Sequence, residues 1–94
     1  MIKSFRCEAT EMLFRRIPTQ EFPKTIHRVA LRKLTMIDSA TELKDLLVPP
    51  GNRLEKLIGD RKGQHSIRIN DRWRICYLWK DGQAHQVEIT AHYQ

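Results

Sequence analysis

Three arginines, Arg68, Arg72 and Arg74, alternate with Ile67, Ile69, Trp73 and Ile75 in one stretch of the chain. A guanidinium is a planar fork that grips a phosphate through two parallel hydrogen bonds and also stacks on a base, so a row of arginines suits RNA. The same side chains serve equally well in cross-strand ion pairs, for instance with Glu88 on a neighbouring strand. On the arginines alone both readings stand. Further along, Thr90-Ala91-His92-Tyr93-Gln94 brings an imidazole and a phenol together. Cleaving RNA without a metal needs a base for the 2′-OH, a cation for the strained phosphate and an acid for the departing 5′-oxygen, and His, Arg and Tyr suffice. A frayed polar tail is the plainer reading of those residues.

Other chemistries find less support. Cys7 and Cys76 have no Cys or His companion at metal-ligand spacing, and Cys76 sits mid-strand between Ile75 and Tyr77, where a small hydrophobe is the ordinary explanation. Both are read as reduced, core-type thiols. His27, His65, His85 and His92 are scattered, and Gly59, Gly63 and Gly82 are isolated turn glycines rather than a phosphate-cradling loop. Neither a metal nor an organic cofactor is expected.

The charge balance agrees with a polyanion partner. Seventeen Lys plus Arg against 11 Asp plus Glu leave +6 on 94 residues, a field that favours nucleic acid or an acidic protein, although excess charge also serves solubility. Its placement is uneven. From Arg53 to Arg74 the basic residues are Arg53, Lys56, Arg61, Lys62, Arg68, Arg72 and Arg74, against Glu55, Asp60 and Asp71. The start, Met1-Ile2-Lys3-Ser4-Phe5-Arg6, lacks the apolar run and cleavage site of a secretory signal, and apolar stretches such as Leu46-Leu47-Val48 break within a few residues. A soluble, cytoplasmic protein with no membrane contact is the expectation.

The elements that must carry these groups follow from periodicity. Glu8 to Arg16 places Ala9, Met12 and Leu13 at helical spacing, with acids early and arginines late. After the connection Ile17 to Phe22, Pro23 opens a second helix with Ile26, Val29, Ala30, Leu34 and Ile37 on one stripe and Lys24, Arg28 and Arg32 on another. Asp38 to Thr41 interrupts it, Thr41 to Leu47 makes a short helical turn, and Val48-Pro49-Pro50-Gly51-Asn52 ends the helical half. Alternation then takes over: Arg53–Ile58, Gln64–Asn70, Arg72–Trp79 and Ala84–Thr90 read as strands, joined at Gly59–Gly63, Asn70-Asp71 and Asp81-Gly82. Trp73, Ile75, Tyr77 and Trp79 share one face, as do His65, Ile67 and Ile69, and His85, Val87 and Ile89. With Ile2 to Arg6 as a further strand, the fold class is α+β: an N-terminal strand and a helical hairpin packed on one face of a twisted antiparallel sheet, in a single domain over residues 1–94. The opposite face is left free, so Arg68, Arg72 and Arg74 are expected on an exposed, concave surface.

The stretch Gly59-Asp60-Arg61-Lys62-Gly63-Gln64-His65-Ser66-Ile67-Arg68-Ile69-Asn70-Asp71-Arg72-Trp73-Arg74-Ile75-Cys76-Tyr77, followed by Val87-Glu88-Ile89, resembles the HigB branch of the RelE/ParE toxin superfamily. Met1-Ile2-Lys3-Ser4-Phe5, Ala40-Thr41-Glu42-Leu43 and Pro49-Pro50-Gly51-Asn52-Arg53-Leu54 extend the similarity along nearly the whole chain. The resemblance implies a toxin of a type II toxin–antitoxin system that enters the ribosomal A site, cleaves mRNA and arrests growth. It also implies a hetero-oligomer with a cognate antitoxin, acidic or carrying a HigA-like helix-turn-helix domain. The family's catalytic arginine follows the strand tryptophan and falls on Arg74, with further catalytic residues near the C-terminus.

Members commonly end in Asp-Tyr-His, where this chain has Ala91-His92-Tyr93-Gln94, and the first meander strand carries Glu55 and Ile58 where better understood members have a histidine and a lysine. The proton-transfer role therefore stays open among Glu55, His92 and Tyr93. Arg53, Lys56, Arg61, Lys62, Arg68 and Arg72 are the expected RNA contacts. Because one fold hosts several activities, a ParE-like inhibitor of DNA gyrase without nuclease activity, or an attenuated RNA-binding relative, is the alternative.

Overall fold

The computed structural model describes residues 1–93. Two helices, α1 (Glu8–Phe14) and α2 (Lys24–Ser39), precede a four-stranded antiparallel meander of β1 (Glu55–Lys56), β2 (Gln64–Arg68), β3 (Arg74–Lys80) and β4 (Gln83–Thr90), in that spatial order. Short 3-10 turns at Leu43–Leu47, Pro50–Asn52 and Gly59–Arg61 fill the connections. The fold class matches the expectation from sequence. Among the described residues, no helix is long and apolar enough to cross a membrane.

Helix α2 forms because Ile26, Ala30, Leu34 and Ile37 recur on one face, and all four are buried against the sheet. Pro23 stands at its N-cap, one position earlier than the sequence suggested, and the helix runs on through Asp38 and Ser39. Asp38 is useful there: its Oδ1 accepts the Ile2 N–H at 2.9 Å and ties down the N-terminal segment.

Helix α1 is shorter than expected, ending at Phe14. Its exit is a Schellman turn, in which the Ile17 N–H donates to the Met12 carbonyl and the Arg16 N–H to the Leu13 carbonyl. That turn needs a left-handed residue, and Arg16 supplies it at φ 61°. A Cβ in this conformation is unfavourable, so Arg16→Gly is expected to stabilise the fold by about 1 kcal/mol, read as a higher urea midpoint. An unchanged or lower midpoint would count against this account of the turn.

The row predicted on β3 packs as expected: Ile75 and Tyr77 are fully buried, Phe22 meets the Trp73 ring edge-on at 5.8 Å, and Trp79 meets Tyr77 edge-on at 6.4 Å. Two features of the sheet differ from the alternation rule. First, Cys76 pairs with Glu88 but Leu78 pairs with His85, a bulge that places both Gln86 and Val87 opposite Tyr77, with Gln86 at φ 54°. One extra residue turns the following side chains over. Ala84, not His85, therefore joins Val87 and Ile89 in the core.

Second, the N-terminal segment is not a continuous strand. It makes two isolated parallel bridges to β4, Ile2 with Ala84 and Phe5 with Val87, because the bulge interrupts the edge between them. Thr10 then continues the cover: its buried hydroxyl accepts the Ile89 N–H at 3.0 Å. The outer edge of β4 is thus paired or capped along most of its length, which removes a template for aggregation.

On β2, burial holds the His65 imidazole below the usual histidine range, and the charge of Lys56, its register partner on β1, pushes the same way. The unfolded chain then binds the proton more readily than the folded one. Stability is accordingly full above about pH 6.5, the ordinary histidine value, and declines as pH falls below it. Melting temperatures followed from pH 7.5 to pH 5 should drop more steeply for the wild-type chain than for His65→Gln, and parallel curves would refute the assignment.

Candidate functional site

The sheet face away from the helices is not open. Strand register sets Glu55 beside Ser66, Ser66 beside Cys76 and Cys76 beside Glu88 in one row, with Arg68, Arg74 and Thr90 in the next. Ser66 and Cys76 are fully buried and Arg74 is 6% exposed. The expected surface of three exposed arginines is therefore corrected. The turn Gly59–Arg61 and the segment after β4 lie over this face and leave Arg74 at the bottom of a covered site.

Arg74 is held by neutral acceptors only. Its Nε donates to Ser66 Oγ at 2.7 Å, and its Nη2 donates to the Arg53 carbonyl at 2.5 Å and to the Ser66 carbonyl at 3.3 Å. The Arg53 carbonyl is aimed there by backbone conformation, since Arg53 closes the Pro50–Asn52 turn in the left-handed region at φ 45°. Buried Asn52 braces that turn, donating from Nδ2 to the Leu46 carbonyl at 3.2 Å. The Tyr93 ring lies 5.6 Å from the Arg74 guanidinium carbon, in cation–π range. No carboxylate pairs with Arg74 among the described residues, so its charge faces the site uncompensated.

The other arginines go separate ways. Arg72 is not on a strand: β3 begins only at Arg74, because Asn70 Oδ1 accepts the backbone N–H groups of Arg72 and Trp73 and holds a turn there. Its exposed guanidinium lies over the Trp73 ring at 5.9 Å. Arg68 stands directly across from Arg74 and pairs with Asp71. Arg61 turns inward, its side chain only 12% exposed, to meet Glu88 at 3.0 Å. Arg53, Lys56 and Lys62 are exposed, with Lys56 paired to His65 on the sheet face opposite Glu55 and Ser66.

Glu55 is exposed on β1, next to the serine that holds Arg74. His92 is exposed, with its N–H bonded to Thr90 Oγ1 at 2.9 Å, and Tyr93 is half-buried against Arg74. The structure thus brings Glu55, Tyr93 and Arg74 around one face. Ile58 is 81% exposed at the start of the Gly59–Arg61 turn.

Sequence reasoning missed Ser66, which anchors Arg74, and Lys33. Lys33 is 5% exposed on the apolar side of α2; burial, then the charges of Arg32, Arg68 and Arg74, hold its pKa below the usual lysine range. A lysine one turn from Ile37, between Ala30 and Leu34 in an otherwise apolar stripe, was the available signal. Cys76 is a buried neutral thiol, pushed up to about 11 mainly by desolvation, which removes it as a nucleophile at neutral pH. Among the described residues, no three His, Cys, Asp or Glu side chains converge as a metal site would require.

Comparison with known proteins agrees with this fold. A protein family described as the RelE-like toxin of type II toxin-antitoxin system HigB matches residues 3–92. Toxin HigB-1 of Vibrio cholerae serotype O1 is 41% identical over 70 residues, 74% of each chain. Endoribonuclease HigB of Proteus vulgaris is 37% identical over 90 residues, covering 90% of this chain and 91% of that one. A solved YoeB-YefM complex from Staphylococcus aureus superposes with a TM-score of 0.62 at 20% identity over 99% of both chains, which shows a shared fold. With a family match that spans nearly every residue and two relatives above a third identical, this chain belongs to the HigB-like family of RelE-like toxins of type II toxin–antitoxin systems.

Proposed function

We propose that this chain is an endoribonuclease that cleaves mRNA on the ribosome and so arrests translation and growth in the cytoplasm. The observation that carries the reading is Arg74: a nearly buried guanidinium, fixed by Ser66 and the Arg53 carbonyl, with no carboxylate among the described residues to neutralise it. A pre-oriented cation of this kind stabilises charge that develops on a phosphate in the transition state and needs little reorganisation to do so.

In this scheme the 2′-oxygen of a ribose attacks the adjacent phosphorus, and the bond to the 5′-oxygen of the next nucleotide breaks. Arg74 holds the phosphate oxygens through both steps. Glu55, an exposed carboxylate beside Ser66, takes the 2′-OH proton, and Tyr93, packed on Arg74, gives a proton to the departing oxygen. His92 is exposed nearby and is the other candidate for either transfer. Arg53, Lys56, Lys62, Arg68 and Arg72 hold flanking phosphates, and Arg72 already lies over an aromatic ring, at 5.9 Å from its centre.

The protein partner is a HigA-like helix-turn-helix antitoxin in a hetero-oligomer with this chain. A groove on the outer side of α2, lined by Leu31 and Met36 and rimmed by Arg16, Arg28 and Arg32, suits an acidic partner.

The test is to map mRNA 5′ ends after brief induction, alongside purified ribosomes programmed with a defined message. Cleavage within translated codons, dependent on ribosomes and unaffected by chelators, is expected. Intact mRNA together with gyrase-linked DNA breaks would overturn the reading in favour of a gyrase inhibitor.

A further inference from the structure

Arg61 is engaged on three sides next to the site, and nothing in the cleavage scheme uses it. It sits at the end of the Gly59–Arg61 turn, and its guanidinium reaches back under the segment that follows β4. Nε donates to the His92 carbonyl at 3.0 Å and Nη1 donates to Gln64 Oε1 at 3.1 Å. Nη1 also lies 3.0 Å from Glu88 Oε1, with Arg6 on the same oxygen at 3.9 Å. That carboxylate oxygen is buried and accepts no aligned hydrogen bond, so it is held by the two positive charges. Three separate parts of the chain, β2, β4 and the His92 backbone, therefore meet on one half-buried guanidinium.

The consequence falls on the next residue. His92 and Tyr93 lie beyond the last strand pairing, Arg74 with Thr90, and the Arg61 bond is the long-range hydrogen bond that fixes their backbone. Tyr93 reaches Arg74 from that fixed point. Two arginines thus divide the work: Arg74 faces the site uncompensated, and Arg61 is neutralised by Glu88 and turned to structure.

We propose that Arg61 is a positioning residue that clamps the His92 backbone and thereby sets Tyr93 against Arg74. The placement it gives rests on the nuclease reading for its effect on rate, but the clamp itself does not. An exposed phosphate-binding arginine would make RNA binding weaker when removed. A clamp makes the chemical step slower instead, since misplacing a reacting group by about 1 Å costs as much as 10²-fold.

The experiment compares wild type, Arg61→Gln, Glu88→Gln, Tyr93→Ala and the Arg61→Gln/Tyr93→Ala double variant. Hydrogen exchange of the His92 amide, which Thr90 Oγ1 protects, is expected to speed up at least tenfold in Arg61→Gln and to a smaller extent in Glu88→Gln, while β2 and β3 stay protected. In single-turnover cleavage on programmed ribosomes, Arg61→Gln should lower the maximal rate about tenfold with half-saturation unchanged. It should add little once Tyr93 is already alanine. Unchanged exchange at that amide overturns the clamp. Faster exchange with multiplicative rate losses, or with a change in half-saturation only, overturns the positioning of Tyr93. Failure of the nuclease reading would show separately, as cleavage undiminished in Arg74→Ala, and would leave the exchange result to judge the clamp.

Discussion

Arg74→Ala is expected to relieve growth arrest on induction and to slow ribosome-associated mRNA cleavage by at least about 10²-fold, the usual loss when one pre-oriented donor to a developing oxyanion is removed. Arg74→Lys should recover little of it. The guanidinium spans Ser66 Oγ, the Arg53 carbonyl and the site with donors in a fixed plane, whereas an ammonium is a point charge on a flexible stem. The loss should sit in the maximal rate. Because Ser66 Oγ and a carbonyl are left without their donor, a melting curve on the purified variant must accompany the assay, with a modest fall in midpoint expected. Undiminished cleavage by a folded Arg74→Ala protein would sink the proposed mechanism.

Leu34→Ala carries the largest expected effect on stability. Leu34 is fully buried at the centre of the α2 stripe, between Ala30 and Ile37, where the surrounding side chains are fixed by both the helix and the sheet. Truncation removes apolar contact and leaves a cavity, and together these amount to about 3 kcal/mol. A small domain has only about 5–15 kcal/mol in hand, so roughly a fifth to three fifths of the folding free energy would go. Urea unfolding of Leu34→Ala against wild type measures it, with Leu34→Met as a near-neutral control. A loss under about 1 kcal/mol would mean that the helix is not seated on the sheet as described.

Much of the architecture was legible because it is written in local periodicity. The stripe from Ile26 to Ile37 and the row from Trp73 to Trp79 each identify an element and its buried face without reference to anything distant. Errors came where a single residue changes a period. Gln86 at positive φ bulges β4 and exchanges His85 for Ala84 in the core, and Asn70 holds Arg72 in a turn that alternation had read as strand.

The site was legible in its composition and misread in its geometry. Arg68, Arg72 and Arg74 look alike in sequence. What separates them is register and company: Arg68 pairs with Asp71, Arg72 lies over Trp73, and only Arg74 rests on neutral acceptors. Alternation predicts which face a side chain takes but not whether another segment covers that face. The cover comes from the Gly59–Arg61 turn and from His92 and Tyr93, neither of which belongs to a periodic element. Ser66 was passed over for a related reason, since a lone serine on a strand carries no signal until its neighbours in space are known, whereas Lys33 did interrupt an apolar stripe and was overlooked.

The bridges from Ile2 and Phe5 to β4 bear on when the protein becomes active. The first residues of the chain are completed by the last strand, with the Thr10 hydroxyl and the Ile89 N–H separated by 79 positions. Contacts of such long sequence separation form late in folding, after the loop-closure entropy has been overcome. A ribosome making this protein therefore carries a chain whose helical hairpin has no finished sheet to rest on, and in which Arg61 has no His92 to hold. The sheet that holds Arg74 is complete only once β4 is free to pair with both β3 and the first residues of the chain.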